Sequence, residues 1–291
     1  MEDNLLIRVA LPLVNFIIMC GIGLTLEVAD FRRIGRSPKS VAVGVAGHYL
    51  LLPAIGFVMA YVFRDTPGFA IGFVLLAACP SASVSNTLSY LAGGNVALAV
   101  ALTAISAVAS LLSVPAWILL AARAFDIEGR MVQLPVSETI ARLAVLVLLP
   151  VALGMGARHW ARAWALRVQP WISRVALLSL ILVVVAFAVT QWELVSRSIS
   201  ELGAATLAMS AAAMVGGLLL ARAVKLSFAD SVTISIEVGV QNCMLAMLVA
   251  LTILHSVQAA LPAATYGLMM FVPALAVVAL GRRARREAPQ T

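Results

Sequence analysis

The chain has 291 residues, 63% of them hydrophobic and only 11% charged, with a formal net charge of +7. An average soluble domain carries roughly 25% charged residues, so this composition excludes a water-soluble globular protein and points to an integral membrane protein. The basic excess, 20 Lys and Arg against 13 Asp and Glu, is explained by membrane topology and not by nucleic acid. Little sequence lies outside the apolar runs, so residues 1–291 read as a single transmembrane domain.

Taken in chain order, nine apolar stretches are long enough to cross a hydrocarbon core of about 30 Å, which takes about 20 helical residues. They span residues 8–28, 38–62, 67–91, 95–121, 139–157, 172–191, 203–222, 229–252 and 260–281. The first is read as a retained helix. Its leader, Met1-Glu2-Asp3-Asn4, has no basic n-region, and the cluster Arg32, Arg33, Arg36 and Lys39 follows the apolar run instead of preceding it. Cys20, Cys79 and Cys243 all fall inside apolar runs, where cysteine behaves as a small buried hydrophobe, so no disulfide framework is implied.

Basic residues count unequally on alternate sides of these spans. One side receives fourteen, from Arg32, Arg33, Arg36 and Lys39 through the Arg158–Arg174 group, Arg222 and Lys225 to the Arg282–Arg286 group. The other receives six: Arg8, Arg64, Arg123, Arg130, Arg142 and Arg197. The positive-inside rule then predicts a multi-pass protein of the cell (inner) membrane with its amino terminus outside and its carboxyl terminus in the cytoplasm. Arg282, Arg283, Arg285 and Arg286 read as an anchor on anionic lipid. Trp160, Trp164 and Trp171, interleaved with Arg158, Arg162 and Arg167, read as an amphipathic interfacial loop. The pairs Gly44 with Gly47 and Gly216 with Gly217 fit close helix packing.

Two spans are interrupted. The third holds Cys79-Pro80-Ser81-Ala82-Ser83-Val84-Ser85-Asn86-Thr87, a proline followed by small polar residues that compete for backbone hydrogen bonds. The eighth holds Glu237-Val238-Gly239-Val240-Gln241-Asn242. Non-helical backbone at membrane depth persists only where protein or a watery cavity satisfies it, so broken helices in corresponding halves point to a midplane binding site and an inverted repeat. The halves are taken as residues 1–157 and 158–291, which hold five and four of the nine spans, while the repeat itself is expected as four plus five.

Glu237 is the most informative residue of these. A carboxylate at that depth costs roughly 2.5–3.5 kcal/mol on insertion scales, so it reads as functional. At 1.5 Å per helical residue, His48 lies about 13 Å from Lys39, Thr103 about 12 Å from Asn95 and Glu237 about 10 Å from Asp230. Asn86 falls in the same layer. Four polar groups from four spans thus share one level. Carboxylate, carboxamide and hydroxyl oxygens with freed carbonyls suit a hard cation such as sodium, and no Cys and His spacing fits a transition metal. Amides freed at the start of each second half-helix suit an anion.

These residues carry a resemblance. Gly21-Ile22-Gly23-Leu24-Thr25-Leu26 with Asp30-Phe31, Cys79-Pro80 with Ser85-Asn86, Tyr90-Leu91-Ala92 with Gly94-Asn95, and Glu237-Val238-Gly239 with Gln241-Asn242 resemble, in order, the anchors of the bile acid:sodium symporter family. The resemblance implies an all-α fold with core and panel subdomains, two broken crossing helices and alternating access. It implies one sodium site at Ser85, Asn86, Thr103 and Glu237, and a second at Glu237, Gln241 and the carbonyls of Val238 and Val240. It places Ser83, Asn86, Thr87 and Asn242 against the substrate anion. Family members of bacterial type have ten spans, so the first is expected to be missing here.

The chain also departs from that pattern. Ala99 stands where the family often has serine, and His48 stands where it usually has glutamine. An imidazole ligates sodium poorly but accepts a proton, so His48 is a candidate proton or altered ion site. Pro80-Ser81-Ala82 replaces the usual Pro-Gly-Gly, which reshapes the pocket. The expected function is sodium-coupled symport of a small organic anion: bile-acid-like, or a small carboxylate such as pantoate or a keto acid. Proton-coupled or singly sodium-coupled transport is the alternative. Sodium ions are the expected coupling ions, no organic cofactor is implied, and a monomer is compatible with the sequence. A channel would need a continuous polar stripe, and an intramembrane enzyme a nucleophile turn or paired carboxylates; neither pattern is present.

Overall fold

The structure, a computed structural model, describes residues 9–27, 37–125 and 136–287. Arg8, Asp30, Phe31, Arg32, Arg33, Arg36 and Arg130, used above, lie outside the described residues. The elements are helical throughout. In order they are α1 (Leu11–Thr25), α2 (Pro38–Ala46), α3 (Leu52–Val62), α4 (Pro67–Ala78), α5 (Val84–Leu91), α6 (Val96–Ala124), α7 (Val136–Leu143), α8 (Leu149–Trp160), α9 (Arg162–Thr190), α10 (Trp192–Ala223), α11 (Phe228–Gly239), α12 (Cys243–Thr252), α13 (Val257–Met269) and α14 (Phe271–Glu287).

Five helical stretches are long and apolar enough to cross a membrane unaided: Pro38–Val62, Val96–Ala124, Ser137–Trp160, Trp192–Ala223 and Val257–Arg285. Shorter apolar helices are Leu11–Thr25, Pro67–Ala78, Leu178–Thr190 and Cys243–Thr252. On α9, Leu178, Leu182, Val185 and Val189 form an exposed stripe at helical spacing, the pattern of a face turned to lipid.

Helix α9 corrects one expectation. The Trp- and Arg-rich segment after residue 160 is not a loop: the chain breaks only at Ala161, and helix resumes at Arg162. Hydropathy marks the part of a helix in contact with lipid, whereas the helix itself continues into the polar interface. Helix α10 does the same, its polar start joined by the Arg197 and Glu193 pair at 2.6 Å.

Two whole π-helical turns among the described residues, Gly47–Leu51 and Ala144–Leu148, are each followed by a proline, Pro53 or Pro150. Proline has no N–H and its ring clashes with the carbonyl four residues back, so the turn before it widens. For Pro150 that carbonyl belongs to Leu146. The wholly buried Asn15 of α1 donates its side-chain amide to it at 2.9 Å.

Helix α1 packs chiefly on α8 and α9. The remaining helices gather around α4, α6, α11 and α13, with α10 against α11 and α13. Between α1 and α8 the backbones nearly touch. A Cβ on Gly154 would lie 2.3 Å from the Cys20 carbonyl, and one on Gly23 would lie 2.2 Å from the Val151 carbonyl. Small residues permit this approach, which supplies dispersion contact where apolar burial gives no drive between helices in lipid. Gly154→Val is therefore expected to lower stability by about 1–3 kcal/mol through overpacking, read as a lower thermal midpoint in detergent.

Candidate functional site

The interruptions foreseen in the third and eighth spans fall between α4 and α5 and between α11 and α12. Their backbones pair with each other. Ala82 N–H donates to the Val240 carbonyl at 3.0 Å, and Asn242 N–H donates to the Pro80 carbonyl at 2.9 Å, an antiparallel bridge centred on Ser81 and Gln241. Side chains from other helices satisfy the carbonyls that remain. The Ala78 carbonyl accepts from Ser113 Oγ at 3.0 Å, and the Gly239 carbonyl accepts from Tyr266 Oη at 2.8 Å. The Val238 carbonyl accepts from Gln241 Nε2 at 2.8 Å. Each unpaired group would otherwise cost several kcal/mol in this environment.

Ser81 shows why the missing glycines are tolerated. Its hydroxyl lies 3.1 Å from the Val240 carbonyl and 3.2 Å from the Glu237 carbonyl, and it can donate to either. Its N–H donates to Ser106 Oγ at 3.2 Å. The side chain thus serves the joint instead of obstructing it.

Glu237, 2% exposed, closes the last turn of α11. Ser85 Oγ donates to its Oε1, and Thr103 Oγ1 donates to its Oε2 at 3.0 Å, with Asn86 Oδ1 3.4 Å from the same hydroxyl. So α5, α6 and α11 bring Ser85, Asn86, Thr103 and Glu237 together. Gln241 and the carbonyls of Val238 and Val240 follow Glu237 on the same segment, within four residues of it. Asn86 Nδ2 and Gln241 Oε1 are buried without a hydrogen-bond partner. Ala99 is buried and supplies no oxygen. Among the described residues no cluster of three His, Cys, Asp or Glu forms a metal site.

His48 is placed differently from the others. Its Nε2 lies 3.1 Å from the Cys79 carbonyl, so that nitrogen carries a proton and donates. The ring serves the carbonyl end of α4 and neighbours the Glu237 backbone carbonyl, without a hydrogen bond to the Glu237 carboxylate among those described.

Beside the joint is a cavity of about 430 Å³. Ser83 and Thr87 of the α5 end line it, together with Gln241, Asn242, Gln169 and Arg174; Ile18, Leu180, Met244 and Met270 supply apolar walls. Asn86 does not line this cavity; it faces the carboxylate cluster. Asn242 caps α12 by accepting from Leu245 N–H at 3.0 Å, while its Nδ2 is buried with no partner. Sequence reasoning missed the places of Ser106, Tyr266 and Arg174, and read Ser81 only as a change in pocket shape. A lone hydroxyl inside an apolar run was the available signal for Ser106 and Tyr266.

The Sodium Bile acid symporter family profile matches residues 12–198. The chain belongs to that family. It is similar to the uncharacterized sodium-dependent transporter YocS of Bacillus subtilis (strain 168), 29% identical over 228 residues, 78% of this chain and 68% of that protein. It is 29% identical over 233 residues to the probable sodium/metabolite cotransporter BASS2, chloroplastic, of Oryza sativa subsp. japonica, covering 80% of this chain and 54% of that protein. The human P3 protein is 28% identical over 261 residues, 89% of this chain and 54% of its own length. The chain thus spans little more than half of the last two. Membership and the apolar helices together make this a multi-pass membrane protein of a symporter family.

Removing a donor from this family member's buried carboxylate leaves part of its charge unanswered. Ser85→Ala and Thr103→Ala are each expected to lower stability in sodium-free buffer by about 1.5–3 kcal/mol, measured by thermal unfolding.

Proposed function

We propose that the chain is a sodium-coupled symporter of a small organic anion working by alternating access. Four spans plus five form an inverted repeat, with the amino terminus outside and the carboxyl terminus cytoplasmic. The observation that carries this reading is the oxygen cluster around Glu237 beside a largely apolar cavity that Ser83, Thr87, Gln241 and Asn242 face at the joint of two broken helices. Ser85, Asn86, Thr103 and Glu237 hold sodium through hard oxygen donors. Gln241, with the Val238 and Val240 carbonyls, forms the second half of the ion region. Ser83, Thr87 and Asn242 meet the substrate at the amino ends of α5 and α12, where the helix dipoles favour an anion.

In membrane vesicles, an imposed sodium gradient is expected to drive saturable uptake of a carboxylate, and Glu237→Gln is expected to abolish it. Uptake that persists unchanged in Glu237→Gln, or that ignores sodium, would overturn the reading.

A second reading concerns ion count, and His48 favours it. Because its Nε2–H is committed to the Cys79 carbonyl, it acts as a helix-end partner and offers the second ion region no oxygen. Coupling to a single sodium follows. The Hill coefficient for sodium is expected to be about one, with no response to a pH gradient at fixed sodium. A coefficient near two, or uptake driven by a pH gradient alone, would remove this reading while leaving symport intact.

A further inference from the structure

Arg282, Arg283 and Arg285 read in sequence as one diffuse positive charge at the end of α14, and the fold sorts them. The close approach of α14 to the turn after α5 sets their places: a Cβ on Gly281 would lie 2.1 Å from the Ala92 carbonyl. From there Arg282 Nε donates to the carbonyl of Leu91, the last residue of α5, at 3.3 Å. Arg285 lies across Gly93, which holds a φ of 77° that glycine adopts readily, and a Cβ there would come within 2.6 Å of Arg285 Nε. With Tyr90 and Leu91 the two arginines line a pocket of about 300 Å³. Tyr90 is 67% exposed, and neither arginine forms an ion pair among the described residues.

Arg282 also belongs to a second space. With Arg283 it borders a groove of about 330 Å³ walled by Leu275, Val278 and Ala279. Seven residues of helix separate Leu275 from Arg282, so the groove runs about 10 Å along α14 into its apolar part. Val272, Leu275 and Leu280 of that part are exposed, as on a helix face turned to acyl chains. A small free anion would use the basic pocket alone. A phospholipid uses both spaces, its phosphate at the arginines and a chain on the apolar wall, and basic pockets between helices near the membrane surface suit anionic headgroups.

We propose that α5 and α14 together form a discrete site for one anionic phospholipid. Arg282 and Arg285 take its phosphate through charge-assisted hydrogen bonds in the forked geometry that guanidinium and phosphate share. Tyr90 donates its hydroxyl to a further phosphate oxygen, and Leu275, Val278 and Ala279 carry the first part of one acyl chain. A zwitterionic lipid offers the same phosphate with a cation attached, which the arginines repel. Because these arginines also rest on Leu91 and Gly93, the bound headgroup ties α14 to the carboxyl end of α5, the helix that begins at Val84 beside the joint.

The test follows thermal unfolding and native mass spectra of the purified full-length protein in neutral detergent, titrated with phosphatidylglycerol, phosphatidylcholine or inorganic phosphate. Phosphatidylglycerol is expected to raise the midpoint saturably with one lipid retained per chain, and the other two to act at least tenfold more weakly in apparent affinity. Replacing both arginines, Arg282→Gln with Arg285→Gln, is expected to weaken phosphatidylglycerol at least tenfold. Tyr90→Phe, a change on an exposed ring that leaves the fold intact, is expected to weaken it about threefold. Arg222→Gln removes a charge near the end of α10 instead, and is expected to change nothing. An equal loss in Arg222→Gln makes the charge a diffuse anchor and overturns the proposal. Inorganic phosphate matching phosphatidylglycerol makes the pocket a free-anion site and overturns it too, as does full lipid affinity in Tyr90→Phe or in the double arginine variant.

Discussion

Everything at the centre of this molecule depends on one constraint: backbone polar groups released by a helix break inside hydrocarbon must find partners in the protein. Two breaks at the same depth solve part of the problem mutually, through Ala82 with Val240 and Asn242 with Pro80. That exchange leaves carbonyls over at Ala78, Cys79, Val238 and Gly239. Ser113, His48, Gln241 and Tyr266 answer them. His48, Ser113 and Tyr266 come from three helical segments outside the broken pair. The crossing is thereby a joint fixed from several sides, and not a pair of loose loops.

A joint held this way can place a carboxylate where an isolated helix could not. Glu237 ends the turn before the break, so its side chain meets α5 and α6 instead of lipid. Ser85 and Thr103 supply hydroxyl donors, and the nearby Asn86 adds another oxygen. Buried polar atoms in native proteins nearly all have partners, so those without one call for a water, an ion, a ligand or a strained contact. Asn86 Nδ2, Gln241 Oε1 and Asn242 Nδ2 all lie at or beside the joint. The other such atoms among the described residues belong to Asn15, Ser89, Thr139 and Arg158.

The features legible in the sequence are those carried locally. Hydropathy located the apolar stretches, and Pro80 with its polar followers and the Glu237 string located the breaks. The depth estimate correctly grouped Asn86, Thr103 and Glu237, because rise along a helix is fixed. Azimuth is not fixed by rise. That is why His48, at the right level, is directed to the Cys79 carbonyl and not to the carboxylate, and why Arg174 could be counted but not aimed. Pairings such as Asn15 with Leu146 and Tyr266 with Gly239 join helices remote in sequence, and no local pattern announces them. The Trp160–Trp171 segment misled for a different reason: polarity ended the membrane stretch without ending the helix.

Two consecutive residues tie the proposed ion region to the cavity. Gln241 holds the end of α11 through the Val238 carbonyl and also lines the cavity; Asn242 holds the α4 side through the Pro80 carbonyl, caps α12 and lines the same space. A cation that engages Gln241 Oε1 must restrain the side chain whose amide holds Val238, and a ligand that engages Asn242 Nδ2 must restrain the neighbouring peptide. Any free energy by which one occupant stiffens this pair is returned to the other, since coupling between two bound species is reciprocal. Because Val240 and Asn242, on either side of Gln241, are the residues through which the two broken helices grip each other, a bound cation and a bound ligand there would share a lever on the joint.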